Sequence, residues 1–168
     1  MKDIELVKLG RTMVETLLGD SAYRDALSGG RWADAAVRVL AVLGPRVPAT
    51  AQRIEQPTWE WYFVGDRQTG DLVGSCAFKS PPTDDGAVEI AYFTYRPFEG
   101  QGYATAMAQR LVSLARMSPA IRSVIAHTLP GMGASTRVLE KAGMTFTEVV
   151  VDPEDGTVWR WQLEVGGN

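Results

Sequence analysis

The sequence predicts a mixed α/β fold, and three observations carry that prediction. Apolar residues recur at helical spacing through the first third of the chain. After Pro57 the period changes to alternation. From Val88 onward strand-like and helix-like segments take turns, so the order is helices, then a hairpin, then β-α-β-α-β-β.

Each element follows from its residues. Met13, Leu17 and Leu18 form an apolar stripe broken at Gly19-Asp20-Ser21, and a second short helix runs to the Ser28-Gly29-Gly30 break. Trp32, Ala36, Val39, Leu40 and Leu43 keep helical spacing until Gly44-Pro45 stops it. Pro45–Pro57 reads as loop. Thr58–Val64 reads as a strand, with Trp59, Trp61 and Phe63 on one face and Glu60 and Tyr62 on the other. Asp66-Arg67-Gln68-Thr69-Gly70 makes a turn, and Leu72–Lys79 returns as the second strand of a hairpin. Pro81-Pro82 and Asp84-Asp85-Gly86 turn the chain again before a strand over Val88–Tyr95. A helix from Tyr103 to Met117 places Ala104, Met107, Ala108, Leu111, Leu114 and Ala115 on its apolar face. Val124–Thr128 is a strand and Ala134–Ala142 a helix closed by Gly143. Phe146–Val151 and Val158–Val165 close the chain as strands around Asp152-Pro153-Glu154-Asp155-Gly156.

A length of 168 residues, 45% of them apolar, suits one domain with its own core. Seventeen basic against twenty acidic residues leave a net charge of −3, without the basic excess of a nucleic-acid binder. One cysteine excludes an internal disulfide, and one histidine excludes a His-rich metal site, so no metal is expected. The opening MKDIELVK carries both signs of charge and no apolar run. Ala35–Leu43 is too short to span a bilayer and contains Arg38. A cytoplasmic protein without a membrane partner is expected.

The segment with the most chemistry runs from Glu89 to Thr105, where a strand enters Glu99-Gly100-Gln101-Gly102 and opens a helix. Helix N-termini present unpaired N–H groups and partial positive charge, and glycines there let a phosphate approach. A pyrophosphate site is physically reasonable. A dinucleotide fingerprint needs a third glycine where Thr105 stands, and no Walker A pattern is present, so a nucleotide-dependent oxidoreductase loses on spacing.

Glu99-Gly100-Gln101-Gly102-Tyr103-Ala104 resembles the R/Q-x-x-G-x-G/A signature of the GNAT superfamily of acyl-CoA N-acyltransferases, with Glu99 in place of Arg or Gln. The resemblance is closest to the ribosomal-protein N-acetyltransferases of the RimJ/RimL type. Three ordered blocks carry it: Val88-Glu89-Ile90-Ala91-Tyr92, Gly100-Gln101-Gly102-Tyr103-Ala104-Thr105, and Thr128 to Met144 with Ser135-Thr136-Arg137-Val138-Leu139-Glu140-Lys141 inside it. It covers Leu72 to Leu163 well and the first 57 residues poorly. It implies a single N-acetyltransferase domain with a central mixed, mostly antiparallel twisted sheet and helices on both faces. Residues 1–57 form a variable helical part and residues 58–165 the sheet and acetyl-CoA-binding core.

The resemblance also implies site roles. The amides of Gln101, Gly102, Tyr103, Ala104 and Thr105 hold the CoA pyrophosphate, and the main chain of Phe93 and Tyr95 pairs with the pantetheine arm. Glu89 takes the amine proton through water; the competing account is a carboxylate facing solvent. Ser135 stabilises the departing CoA sulfur, or caps its helix, or does both. Met132 stands where the family usually has asparagine, and Leu139 where many members have tyrosine. His127, on the strand that splays from Val88–Tyr95 in this family, reads as structural, and Cys76 as a core thiol. Trp59/Trp61 and Trp159/Trp161 suit sheet packing, an aromatic wall for the acceptor, or a dimer contact. Asp84, Asp85, Asp152, Glu154 and Asp155 read as solvated turns, or as a mouth favouring a cationic amine.

The expected function is therefore acetyl-CoA-dependent transfer of an acetyl group to a primary amine, on a protein N-terminus or a small molecule. The alternative is a non-catalytic acyl-CoA-binding or regulatory domain, motivated by Met132 and Glu99. An exposed edge strand would suit a homodimer.

Overall fold

The computed structural model describes residues 1–29, 31–59 and 61–166, so the expectations placed on Gly30 and Glu60 lie outside the described residues. The chain begins with strand β1 (Ile4–Lys8), which the periodicity did not predict. Five residues carry too little alternation to stand out among charges. β1 is defined instead by its partners, pairing antiparallel with β2 (Gln52–Arg53) and with β3 (Trp61–Asp66) in the register Ile4–Asp66 and Leu6–Val64. The loop expected over Pro45–Pro57 thus contains a two-residue strand. β3 starts at Trp61, three residues later than Thr58, so Trp59 stands outside it and packs edge-on against Phe78.

Helices α1 (Arg11–Gly19), α2 (Ser21–Ser28) and α3 (Trp32–Leu43) occupy the predicted stretches. Asp20 sets two of them. Its Oδ1 accepts from the Tyr23 amide at 2.8 Å, capping α2, and both of its oxygens accept from the Arg38 guanidinium on α3. That guanidinium is the main reason the Asp20 carboxyl lies below its usual range. α3 ends at Gly44, whose φ of 86° favours glycine.

β4 (Leu72–Phe78) and β5 (Ala87–Thr94) follow, then a 3₁₀ turn over Arg96–Phe98, α4 (Tyr103–Arg116), β6 (Ser123–Thr128), α5 (Ala134–Lys141), β7 (Thr145–Asp152) and β8 (Gly156–Glu164). The strand order is β2-β1-β3-β4-β5-β6-β8-β7, a mixed and mostly antiparallel sheet. The β5–β6 pairing is parallel and covers only Ala87–Glu89 against Ser123–Ile125, although both strands continue beyond it. β6, β8 and β7 are joined antiparallel.

Backbone contacts gather the chain into two compact units. One comprises Met1–Ile54, Trp61–Cys76 and Tyr92–Ala106; the other comprises Glu55–Glu60, Ala77–Ala91 and Met107–Asn168. In the first, Leu17, Ala36, Val39, Leu72 and Tyr95 form a buried cluster. In the second, Met107, Leu111, Leu114, Ile121, Val124 and Leu139 are buried. Trimming one such leucine to alanine costs about 2–5 kcal/mol.

Candidate functional site

In the first unit, the end of β5 leads through the 3₁₀ turn into Gly100 and Gly102, whose φ angles are 70° and 92°. A Cβ at either glycine would meet nothing closer than Lys2 Cγ at 4.0 Å from Gly102, so conformation rather than space requires glycine. α4 starts at Tyr103, and the first N–H groups of a helix have no intrahelical partners, so the turn aims amides outward at a partly positive end. Glu99 is exposed immediately before these glycines.

Tyr103 also fixes where α4 begins. Its hydroxyl donates to Asp66 Oδ2 at 2.6 Å, while Asp66 Oδ1 accepts from the amides of Gln68 and Thr69 in the β3–β4 turn. Asp66 is buried at 3% exposure, and the Tyr103 hydroxyl holds its carboxyl below the usual range. Burial first, then the hydrogen bond to Asp66 and the charge of that carboxylate, push the Tyr103 phenol up to about 12. Phe98 packs edge-on against the Tyr103 ring at 5.9 Å, and the Lys2 ammonium lies 4.6 Å from its centroid.

The main chain of β5 corrects one expectation. Tyr95 N–H donates to Val73 O at 2.9 Å and Lys79 N–H donates to Glu89 O at 2.8 Å, two bonds of one antiparallel β4–β5 register. Main-chain groups alternate along a strand. The Tyr95 amide is thus taken by β4 and is not offered to a ligand, and Phe93 shares its parity along the strand. Tyr92 and Thr94 have the opposite parity. The Thr94 Oγ1 atom is buried with no hydrogen-bond partner among the described residues.

In the second unit, Glu89 carries two contacts on one oxygen. Lys79 Nζ lies 2.7 Å and His127 Nδ1 2.9 Å from Glu89 Oε1. Glu89 pairs in register with Ile125, and His127 follows two residues later on the same side of β6. The sequence showed each residue but not their meeting, because that depends on the parallel β5–β6 register. Glu89 and His127 are each about a quarter exposed at the side chain.

Ser135 lies on the first turn of α5, exposed, and lines a cavity of about 320 Å³ with the Thr128–Thr136 loop. It is not the N-cap. Gly133 holds that position, and the Thr136 hydroxyl both accepts from the Gly133 amide at 2.9 Å and donates to its carbonyl at 3.0 Å. Met132 is exposed on this loop, and Leu139 is fully buried. Asp152 serves its turn by accepting from the Glu154 and Asp155 amides, and Asp85 pairs with Thr83. Burial pushes the Cys76 thiol up, as suits an inert core residue. Trp161 is buried with its indole N–H on Thr128 Oγ1 at 3.1 Å, and Phe146 packs against both Trp159 and Trp161.

A second cavity, of about 300 Å³, lies wholly within the first unit between residues of α2, α3, β3, β4 and β5. Trp32 and Trp61 stack beside it with centroids 5.4 Å apart and planes 26° from parallel. Among the described residues, no group of His, Cys, Asp and Glu is placed to hold a metal ion, and no helix is long and apolar enough to cross a membrane.

A strand that enters a glycine turn at a helix N-terminus, within this mixed sheet, defines the molecule as an α/β protein with an anion-compatible helix start. The chain belongs to the acetyltransferase (GNAT) domain family, whose model matches residues 19–145. Among curated proteins it is 30% identical over 90 residues to the uncharacterized protein YkkB of Bacillus subtilis (strain 168), covering 53% of this chain and 52% of that one. The chain thus spans about half the length of the curated relative it matches. Among solved structures, a RimL ribosomal L7/L12 alpha-N-protein acetyltransferase in complex with coenzyme A superposes at TM-score 0.65 with 16% identity, covering 100% of this chain and 97% of that one. A GNAT-family acetyltransferase from Bacillus anthracis gives TM-score 0.55 with 21% identity, over 62% of this chain and 65% of its own. A spermidine N-acetyltransferase chimera of the Vibrio cholerae and hSSAT proteins gives TM-score 0.55 with 15% identity, over 62% and 65%. These likenesses establish the fold.

Proposed function

We propose that this protein is an acetyl-CoA-dependent N-acetyltransferase that acetylates a primary amine by direct attack on the thioester. The observation that carries the reading is the Gly100–Gly102 turn, held in positive φ at the start of a 14-residue helix. Its donors suit a pyrophosphate, and the edge of β5 beyond Glu89, with the orphaned Thr94 hydroxyl, suits an amide-bearing arm.

The amides of Gln101, Gly102, Tyr103, Ala104 and Thr105 hold the pyrophosphate, each such bond contributing about 1.5–3 kcal/mol. Tyr92 and Thr94, in place of Phe93 and Tyr95, pair with the pantetheine arm. Acetyl-CoA supplies an acyl thioester whose thiolate, with a pKa of about 8.5, is a competent leaving group.

Glu89 accepts, through water, the proton lost by the amine nitrogen as the N–C bond forms and the C–S bond breaks. Lys79 and His127 occupy Oε1, which leaves Oε2 for that proton. Ser135 donates a hydrogen bond to the departing thiolate, a role the exposed hydroxyl is free to take because Gly133 and Thr136 do the capping. Attack needs the neutral amine, which makes up about half or more of an α-amine with pKa about 7.7–8.0 near pH 8 and a small share of an alkylamine as basic as lysine at about 10.4, so turnover of the latter should rise with pH.

Release of the CoA thiol, measured with a panel of amines, tests the reading. Turnover that falls about 10²-fold in Glu89→Gln while acetyl-CoA still binds supports it. Acetyl-CoA binding without turnover of any amine would favour a non-catalytic acyl-CoA-binding domain instead.

A further inference from the structure

The cavity of the first unit is built from side chains that no role above uses. Its walls are Trp32, Trp61, Phe63, Phe93, Tyr23 and Tyr95, and Ala35 and Ala36 leave space between them. Trp32 is 45% and Trp61 43% exposed, an aromatic pair left half in water. Among the described residues that line the cavity none carries a charge, and its polar side-chain groups are the hydroxyls of the tyrosines and Ser75 and the indole N–H groups of Trp32 and Trp61. Burial raises the phenols of Tyr23 and Tyr95 above their ordinary value, so they stay neutral.

We propose that this cavity receives the body of the acceptor, and that the acceptor is a small primary amine carrying a flat aromatic or apolar group and no second positive charge. The proposal rests on the acetyl-transfer reading and adds the substrate class to it. Three observations support the choice. Phe93 and Tyr95, which line the cavity, belong to the segment that runs into the glycine turn of the same unit. The volume lies at the small end of ligand pockets and suits one or two rings. A polyamine would bring ammonium groups into walls that offer no carboxylate, so that ring faces and hydroxyls alone would have to replace their lost hydration. A cation held against the tryptophan faces would also keep the attacking nitrogen protonated, the opposite of what attack on a thioester needs.

The test is steady-state thiol release at saturating acetyl-CoA with 2-phenylethylamine, ethanolamine and spermidine. The preference of kcat/KM for 2-phenylethylamine over ethanolamine is expected to exceed about 10-fold, since even one methylene in an apolar pocket contributes about that much. Ala36→Phe, which fills the cavity, and Trp61→Ala, which removes a half-exposed wall, should each lower that preference about 10-fold through KM. A fold check by circular dichroism accompanies Ala36→Phe, and Trp61→Ala stands independently of it. Preferred turnover of spermidine or ethanolamine, or a preference unchanged in a folded Ala36→Phe and in Trp61→Ala, overturns the substrate class while the acetyl-transfer reading survives. No turnover of any of the three overturns the substrate class, and the acetyl-transfer reading then stands or falls on acetyl-CoA binding and the wider amine panel.

Discussion

Glu89 sits at the centre of the proposed chemistry, and its neighbours define what its replacement should do. Glu89→Gln keeps the shape but loses the proton acceptor that Lys79 and His127 hold in place. Its kcat deficit should be greatest at low pH, where more of the acceptor amine is protonated, with acetyl-CoA affinity nearly intact. Equal loss of acetyl-CoA binding would mark Glu89 as structural. His127→Gln should lower kcat by less than Glu89→Gln, because it removes an orienting contact and leaves the carboxylate. Glu99 offers an opposite experiment. It directly precedes the glycine turn proposed to hold phosphate, and charge at a helix N-terminus is worth about 0.3–1 kcal/mol. Glu99→Gln should therefore tighten acetyl-CoA binding a few-fold in a calorimetric titration. The family resemblance singled out Glu89 and Ser135, and the glycines stood out by their place between a strand and a helix. The sequence did not bring His127 to Glu89, and it could not say which main-chain groups of β5 face which edge, since alternation names two sets of residues and only the partner strand decides between them.

At the scale of elements, the start of α4 depends on Tyr103 and Asp66. Tyr103→Phe leaves the buried Asp66 with its two turn amides and removes its shortest bond, costing about 1.5–3 kcal/mol near neutral pH. The pH dependence follows from the two shifts. A lowered Asp66 contributes fully above its unfolded value of about 3.9 and loses that contribution as pH falls through the lower folded value. A raised Tyr103 contributes fully below about 10, and that contribution is lost as pH rises toward its folded value of about 12. Urea unfolding of both proteins across pH should show their widest stability difference near neutrality, narrowing at either end. A constant difference would mean that the pair does not titrate as described. Gly102→Ala should cost about 1–2 kcal/mol through its positive φ alone, because its Cβ meets open space. The long periodic elements, α3 and α4 above all, were legible from apolar spacing. β1 and β2 were not, because two to five residues hold no period and their identity comes from strands remote in sequence.

At the scale of the whole molecule, membership of the GNAT family rests on a match across residues 19–145, and the order of helices, hairpin and β-α-β-α-β-β was readable beforehand. The aromatic cavity was less so. Trp61 and Phe63 read as alternating strand residues and Phe93 as a main-chain contact for the pantetheine arm, with an aromatic wall only one of three uses for Trp61. Their convergence with Trp32 and Tyr23 needs three chain segments packed together, which no local pattern encodes. The central claim is that the glycine turn holds acetyl-CoA, and its most direct test is calorimetric titration of the protein and of Gly102→Glu, with the fold of the variant checked by circular dichroism. The account predicts binding by the parent and none by a folded Gly102→Glu, whose carboxylate would oppose the phosphates. Absence of binding by the parent, or equal binding by the folded variant, would contradict it.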